Sequence, residues 1–500
     1  MTSPSAPMTR PGPPGSGRDP AGSATTSQLL SGPERHLALR FSYGPNPSLR
    51  RDLRRLGSAD WFAHQLKPGK ISDKRADELA SWWPSLGRTP QDLWQRTVSE
   101  VEPGWQVMQD YQRWVLMRRV VSQRQVLEVM TEFWENHFHV PVDADGVFTH
   151  RVSYGKALRA GALGKVSDLL FAMTTHPAMG IYLNNAESTA EHPNENLGRE
   201  LLELHTVGRG NFSEDDVKDS ARILTGWRVD VWETFAAKYS PGDHATGPVR
   251  VMSFKDANRD KDGKALTRRY TDYLASHPKT AQLIARKLAV KFVRDDPPKS
   301  LVDALAKVYL KHDTAIVPVL QALVSSHVFR ASRGTKVRDP GEDVVATWRA
   351  LQVKAAKPVS TQSAAETILW QTGDLGQPPF SWSRPDGAPT TNAAWASTGR
   401  MTGSWHMHYS MAGGWWPRDQ LTYKTPRSWL PQKRLRFDDL VEHLCLELLS
   451  RPASKELTKA CCQALGVKQS TKIDKDHAVV EWQMPLLLTT LLDSPAHMTR

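Results

Sequence analysis

HPNENLGRELLELHTVGRGNFSEDDVKDSARILTGW, residues 192–227, reads as two helices joined by a glycine turn. Leu201, Leu202, Leu204 and Val207 give the first helix its apolar content. Gly208 and Gly210 tolerate positive φ and close it. Ser213, with Asp216 three positions on, opens the second helix with an acidic first turn that satisfies free N–H groups and suits the helix dipole. The result is a helical hairpin that carries many polar groups. Glu200 and Glu203 share a face, and Glu195 stands four before Arg199. Glu203 and His205 are two apart and face different ways. Arg222 falls where it is expected to meet Glu200 or Glu203, either as an ion pair holding the helices in register or as the floor of a polar pocket.

Outward from this block, apolar spacing of three and four dominates from residue 35 onward. It predicts helices over residues 105–121, 124–139, 163–173, 281–293, 301–310, 316–328, 342–351 and 437–449. The fold expected is mostly α, a large multi-helix bundle with a small β-ribbon insertion and long Trp/Pro/Gly-rich loops. The ribbon is expected between Arg228 and Lys255, from VDVWETF and GPVRVMSF around AAKYSPGDHAT; the loop region is 373–433, whose tryptophans argue for order. Residues 1–34 read as a disordered Pro/Gly/Ser-rich tail, and 35–495 as one large helical domain or two lobes.

No apolar run reaches the roughly 18 residues that a bilayer span needs, and no stretch forms the apolar core of an export signal. A cytoplasmic location follows as the expectation, with export bound to a partner as its alternative. Three cysteines, Cys445, Cys461 and Cys462, form no CxxC or zinc spacing, which excludes a disulfide framework. The net charge of +12 comes from lysines and arginines scattered along helices, a pattern of solvated faces that makes a nucleic-acid partner the less favoured reading. P-loop, GxSxG, HExxH and GxGxxG patterns are absent.

Three places carry candidate chemistry. The hairpin offers Glu200, Glu203 and Arg222. FWENHFHVPVD, from Phe133, places His137 and His139 at a helix end, where a histidine can satisfy free carbonyls. PGDHATG places Asp243 and His244 in an irregular segment, better suited to chemistry than a packed helix. His137, Glu200, Glu203 and His244 together would make a two-His, two-carboxylate set for a divalent metal or for acid–base work.

HLALRFSYGP, FWENHF, HPAMGIYLNN, the PNEN-to-TGW block, DHATGP, HPKTAQLIARKLAVKFV, KVRDPGEDVVATWRAL and LGQPPFSWSRPDG resemble, in order, the bacterial family catalogued as domain of unknown function 1800. The resemblance covers about residues 35–495. It implies a mainly helical protein often encoded beside a sulfatase- or phosphatase-like protein. The family's usual HD pair is altered, since Ala245 follows His244, and Val249 and Arg250 stand where Lys and Thr would be.

Three functions are therefore weighed. One is an enzyme, a metal-assisted hydrolase or an oxidoreductase, with its pocket between the NENLGRELLELH helix and the segments bearing His137 and His244. Another is a non-catalytic partner or maturation factor of the sulfatase- or phosphatase-like neighbour. The last is nucleic-acid binding, which predicts an affinity that falls steeply with salt.

Overall fold

The computed structural model describes residues 29–500; most of the tail expected over 1–34 lies outside them. The domain starts slightly earlier than its sequence suggests. Ser31 and Glu34 form a capping box that opens α1 (Gly32–Phe41), because the reciprocal side-chain bonds satisfy two free N–H groups.

The described chain is 59% helical, with 25 α-helices and only two-stranded ribbons. One contiguous hydrophobic core runs from Leu30 to Leu492, and no described helix is long and apolar enough to cross a membrane. Its centre is α3 (Gln125–His137), packed among α2 (Gly104–Val121), α4 (Arg151–Gly161) and α7 (Pro278–Phe292). Between α4 and α7 come α5 (Glu195–Glu200), prolonged by a π-helical turn over Leu201–His205, and α6 (Glu214–Ile223). Farther along are α8 (Pro340–Ala350) and α9 (Thr398–Ala412).

The hairpin is present, with Gly208 and Gly210 at positive φ and the Ser213–Asp216 box intact. Its register is held differently from the expectation. A Cβ on Gly198 would fall 3.0 Å from the Ala221 nitrogen, so this glycine lets the two backbones touch. Arg199 pairs with Glu214 at 2.6 Å. Arg222 points to the far side of α6, where it binds Asp219 and the carbonyls of Thr246 and Pro248, each at 2.9 Å.

The ribbon region also differs in its pairing. VDVWETF and GPVRVMSF do not pair with each other. β1 (Trp227–Val229) turns back onto β2 (Ala237–Tyr239), and β3 (Val249–Val251) onto β4 (Phe254–Asp256), because a tight local turn costs less chain entropy than closing a long loop. Within residues 373–433 the sequence pattern misses α9, whose apolar spacing is blurred by Gly399 and Gly403. The helix expected over 316–328 divides, since Ser326 caps a new turn.

α3 carries three carboxylates at helical spacing, Glu128 and Glu135 buried and Glu132 half-buried, each met by cations or donors from other elements. Glu128 receives Arg118 and Arg159, each at 2.6 Å. Glu132 accepts the Tyr43 hydroxyl at 2.7 Å, with Lys291 at 3.7 Å. Glu135 takes Arg151 at 2.5 Å and the Tyr111 hydroxyl at 2.7 Å. Gly155 makes room for this last group, since a Cβ there would lie 1.6 Å from the tyrosine oxygen.

A second buried network ties α8 to α9 and the C-terminus. Asp343 accepts Arg400 at 3.2 Å, Ser404 at 2.7 Å and His408 Nε2 at 3.1 Å, while His408 Nδ1 meets Asp493 at 2.7 Å. Burial opposes a charged imidazole, but Asp343 and Asp493 outweigh it and lift the His408 pKa to about 9.

Two outcomes follow. Arg151→Met leaves Glu135 buried and uncompensated, and is expected to cost about 3–5 kcal/mol in urea unfolding; a loss under about 1 kcal/mol would contradict the assigned pair. The His408 shift is upward, so its stabilisation is complete below about pH 6.5 and lost as the pH rises through about 9. The urea midpoint of the wild type should fall across that window, and that component of the fall should be absent from His408→Gln.

Candidate active site

A cleft of about 300 Å³ lies at the C-terminal half of α3. One wall is α3 and its exit, with Glu132, Asn136, His137 and His139; another is α7, with Lys287 and Lys291; the N-terminus of α8 adds Asp339 and Gly341. The cover is the irregular segment from Gln377 to Thr390, together with Trp395.

That cover is fixed from several sides. Asn136 donates to the Ala388 carbonyl at 2.9 Å and accepts its N–H at 2.7 Å. His139 Nε2 donates to the Trp382 carbonyl at 2.6 Å, and Lys336 to that of Thr390, also at 2.6 Å. Gly387, at φ +75°, lies so near Asn136 that a Cβ would meet the Asn136 carbonyl at 2.2 Å. Only glycine fits both the backbone angle and the gap.

On the floor, His137 Nε2 lies 3.2 Å from the His205 carbonyl. A carbonyl only accepts, so Nε2 carries the proton and Nδ1 is left as an acceptor. Lys287 Nζ donates to that Nδ1 at 2.9 Å and to the Leu204 carbonyl at 3.4 Å. The π turn over Leu201–His205 brings both carbonyls inward, a local device that recurs at functional sites. Burial and the Lys287 charge hold His137 well below the ordinary histidine range. Burial lowers the Lys287 pKa to about 8, with Asp386 across the cleft working the other way.

The far end is acidic but already neutralised. Lys291 Nζ sits 2.8 Å from Glu342, 3.7 Å from Glu132 and 3.8 Å from Asp339, and Arg500 reaches Glu342 at 2.8 Å. Burial and the neighbouring carboxylates raise Asp339 to about 6. These three acids could by spacing hold a metal ion, but the Lys291 ammonium takes the central place. The other such group, Asp343 with His408 and His497, fits a metal no better. Both His408 nitrogens are committed to carboxylates and Arg400 enters the same cluster.

Of the six residues chosen from sequence, His137 lines the cleft. Glu200 ends α5, where burial and the neighbouring Glu203 charge raise its pKa, with a smaller push from Asp386 of the cover. Glu203 is tied to Arg209. Arg222, turned from α6 toward the ribbon region, and Asp243 and His244 within that region line no part of the cleft. Asp243 lies 3.7 Å from Arg228. His244 donates to Asn258 Oδ1 at 2.9 Å and is sealed by Gly263, where a Cβ would fall 2.3 Å from the ring. The two-His, two-carboxylate set therefore does not assemble: His244 packs beneath the start of the Lys264–Ala275 helix, away from the His137 floor.

Lys287, Lys291, Glu132, Asp339 and Asp386 were missed. A signal existed for four of them. Two lysines stand four apart in the apolar ARKLAVKF, Glu132 lies in EVMTEFWE with carboxylates at four and three, and Asp339 is the cap in RDPGED. Asp386 sits in an irregular loop that no periodicity reaches.

A family model described as "Protein of unknown function (DUF1800)" matches residues 36–499. No curated protein and no solved structure matches the chain. The match covers nearly the whole chain, including every wall of the cleft, and the protein belongs to the DUF1800 family of unknown function.

Proposed function

We propose that the chain is an enzyme acting on a small molecule in this cleft, with Lys287 moving the proton of the reacting group against a neutral His137. The observation that carries the reading is convergence. FWENHF, HPKTAQLIARKLAVKFV, KVRDPGED and LGQPPFSWSRPDG are far apart in sequence, yet all present side chains to one cavity, and the PNEN block supplies the carbonyls beneath it. A packed core alone gives no reason for such polar convergence, and a half-buried lysine with a lowered pKa is suited to general acid–base work near neutral pH.

Of the chemistries weighed from sequence, the donor set favours acid–base catalysis by side chains over metal assistance. His137 has both nitrogens engaged, and Lys291 supplies the cation that the three carboxylates need. Hydrolysis and oxidoreduction both stay compatible with such a centre. Cysteines left unpaired, two of them buried, support the cytoplasmic location as part of the same proposal.

A second reading, docking to the sulfatase- or phosphatase-like neighbour, draws on exposed aromatics. Trp405 and Tyr409 lie one turn apart on α9, and Trp415 meets Tyr409 edge to face. Such a patch suits a partner surface. Trp405→Ser is expected to weaken co-elution with that neighbour's product without altering ligand binding; unchanged co-elution, or none in the wild type, counts against docking.

The enzyme reading is checked by a thermal-shift screen of small metabolites. Compounds that stabilise the wild type should lose their effect in Lys287→Met and Trp382→Ala and keep it in Asp243→Asn. Hits that stabilise Lys287→Met as well as the wild type would place the ligand elsewhere.

A further inference from the structure

We propose that Lys287 is a nucleophile that joins an aldehyde or ketone substrate through a covalent imine. This deepens the reading of the cleft as a catalytic centre and rests on it.

Lys287 and Lys291 stand one turn apart on α7 and both line the cleft, yet their partners are opposite in kind. Lys291 is surrounded by three carboxylates. Lys287 has no carboxylate within ion-pair distance among the described residues; its contacts are the neutral His137 ring and a backbone carbonyl. A lysine taken out of water is ordinarily paired. The charged groups that share its cleft are spoken for: Lys291 holds Glu132 and Asp339, Arg119 lies near Glu132, Glu135 pairs with Arg151, and Asp386 on the cover, the one charge that acts on Lys287, pairs with Arg384 at 3.3 Å. His205, whose ring centroid is 5.9 Å from that of His137, is itself held neutral, with burial lowering it to about 3.

The hydrogen-bond geometry leaves room for an amine to react. A neutral –NH2 has two hydrogens, and two acceptors are supplied, His137 Nδ1 and the Leu204 carbonyl. An ammonium would bring a third N–H, directed into the cleft. In the neutral form the remaining tetrahedral position is the lone pair, and the open side of Lys287 is the cleft. The lowered pKa raises the share of this form near neutral pH.

The step balances without an oxidant or reductant. The amine lone pair forms a bond to the carbonyl carbon, and the C=O π pair moves to oxygen. That oxygen takes up a proton as the nitrogen gives one up, leaving a neutral carbinolamine. Its hydroxyl then leaves as water with a second proton, as the nitrogen pair closes the C=N bond and the nitrogen releases its last proton. The Asp386 carboxylate, in the same cleft, is the group available to ferry protons between nitrogen and oxygen. Phe380 and Trp382 give the carbonyl compound apolar faces to lie against. The cavity, about 300 Å³, is at the small end of ligand sites and suits a small aldehyde or ketone.

The test is reductive trapping on the full chain at pH 7. Wild-type protein is treated with benzaldehyde or, separately, glyoxylate, at low excess with sodium cyanoborohydride, and the adducts are located by peptide mass mapping. Labelling of Lys287 by at least one probe is expected at least about tenfold faster than at exposed lysines such as Lys70, in keeping with its larger neutral fraction. The label should leave that peptide in Lys287→Met, and trapping should slow in His137→Leu, which removes the acceptor. Labelling of Lys287 no faster than Lys70 with both probes overturns the proposal, and this readout needs no variant to fold. In that event the proton-transfer reading still stands if metabolite binding depends on Lys287, so the two fail separately.

Discussion

Three carboxylates lie on one face of α3, Glu128 and Glu135 buried inside the bundle and Glu132 half-buried at the cleft, and most of the surrounding structure answers to them. A carboxylate cannot be left unpaired in such a medium, so α2 supplies Arg118, α4 supplies Arg159 and Arg151, and α7 supplies Lys291. Each of these cations fixes the rotation of the helix that bears it. The hydrophobic effect brings the helices together without direction; the ion pairs decide which face of each helix looks inward. Removing a single partner leaves a charge in the core, whereas removing an apolar contact leaves only a gap.

The same constraint positions the cleft. With Lys291 committed to Glu132 and Glu342, Lys287 one turn earlier is carried to the end of α3, where the acidic stripe has ended and His137 stands instead. The chain thus places one lysine among acids and its neighbour against a neutral imidazole. The cover from Gln377 to Thr390 completes the cavity, held by side chains of α3 and its exit rather than by regular structure of its own. Its glycine at 387 allows an approach that no other residue permits.

The helices were largely legible, because an apolar stripe at three and four spacing is a local property that survives in any tertiary setting. α2, α3, α7 and α8 begin and end within a few residues of the pattern. α9 was not, since its glycines and histidines blur the stripe. The hairpin's joint was legible in Gly208, Gly210 and Ser213. Its register was not, because the contact that sets it is the absence of a side chain at Gly198, which looks the same in sequence as any other glycine.

Of the candidate site, the sequence determined that polar groups sit on core helices, and it singled out His137, which lines the cleft. It also carried the family, through ordered blocks that span the chain. The tertiary structure alone decided that His244 is sealed under Gly263, that Arg222 turns to the ribbon loop, and that Lys287 meets His137 across 150 residues. The physical reason is the same in each case. Spacing along a helix fixes which side chains share a face, but which other face lies opposite depends on how helices distant in sequence are rotated, and that is set by buried charges finding their counter-charges.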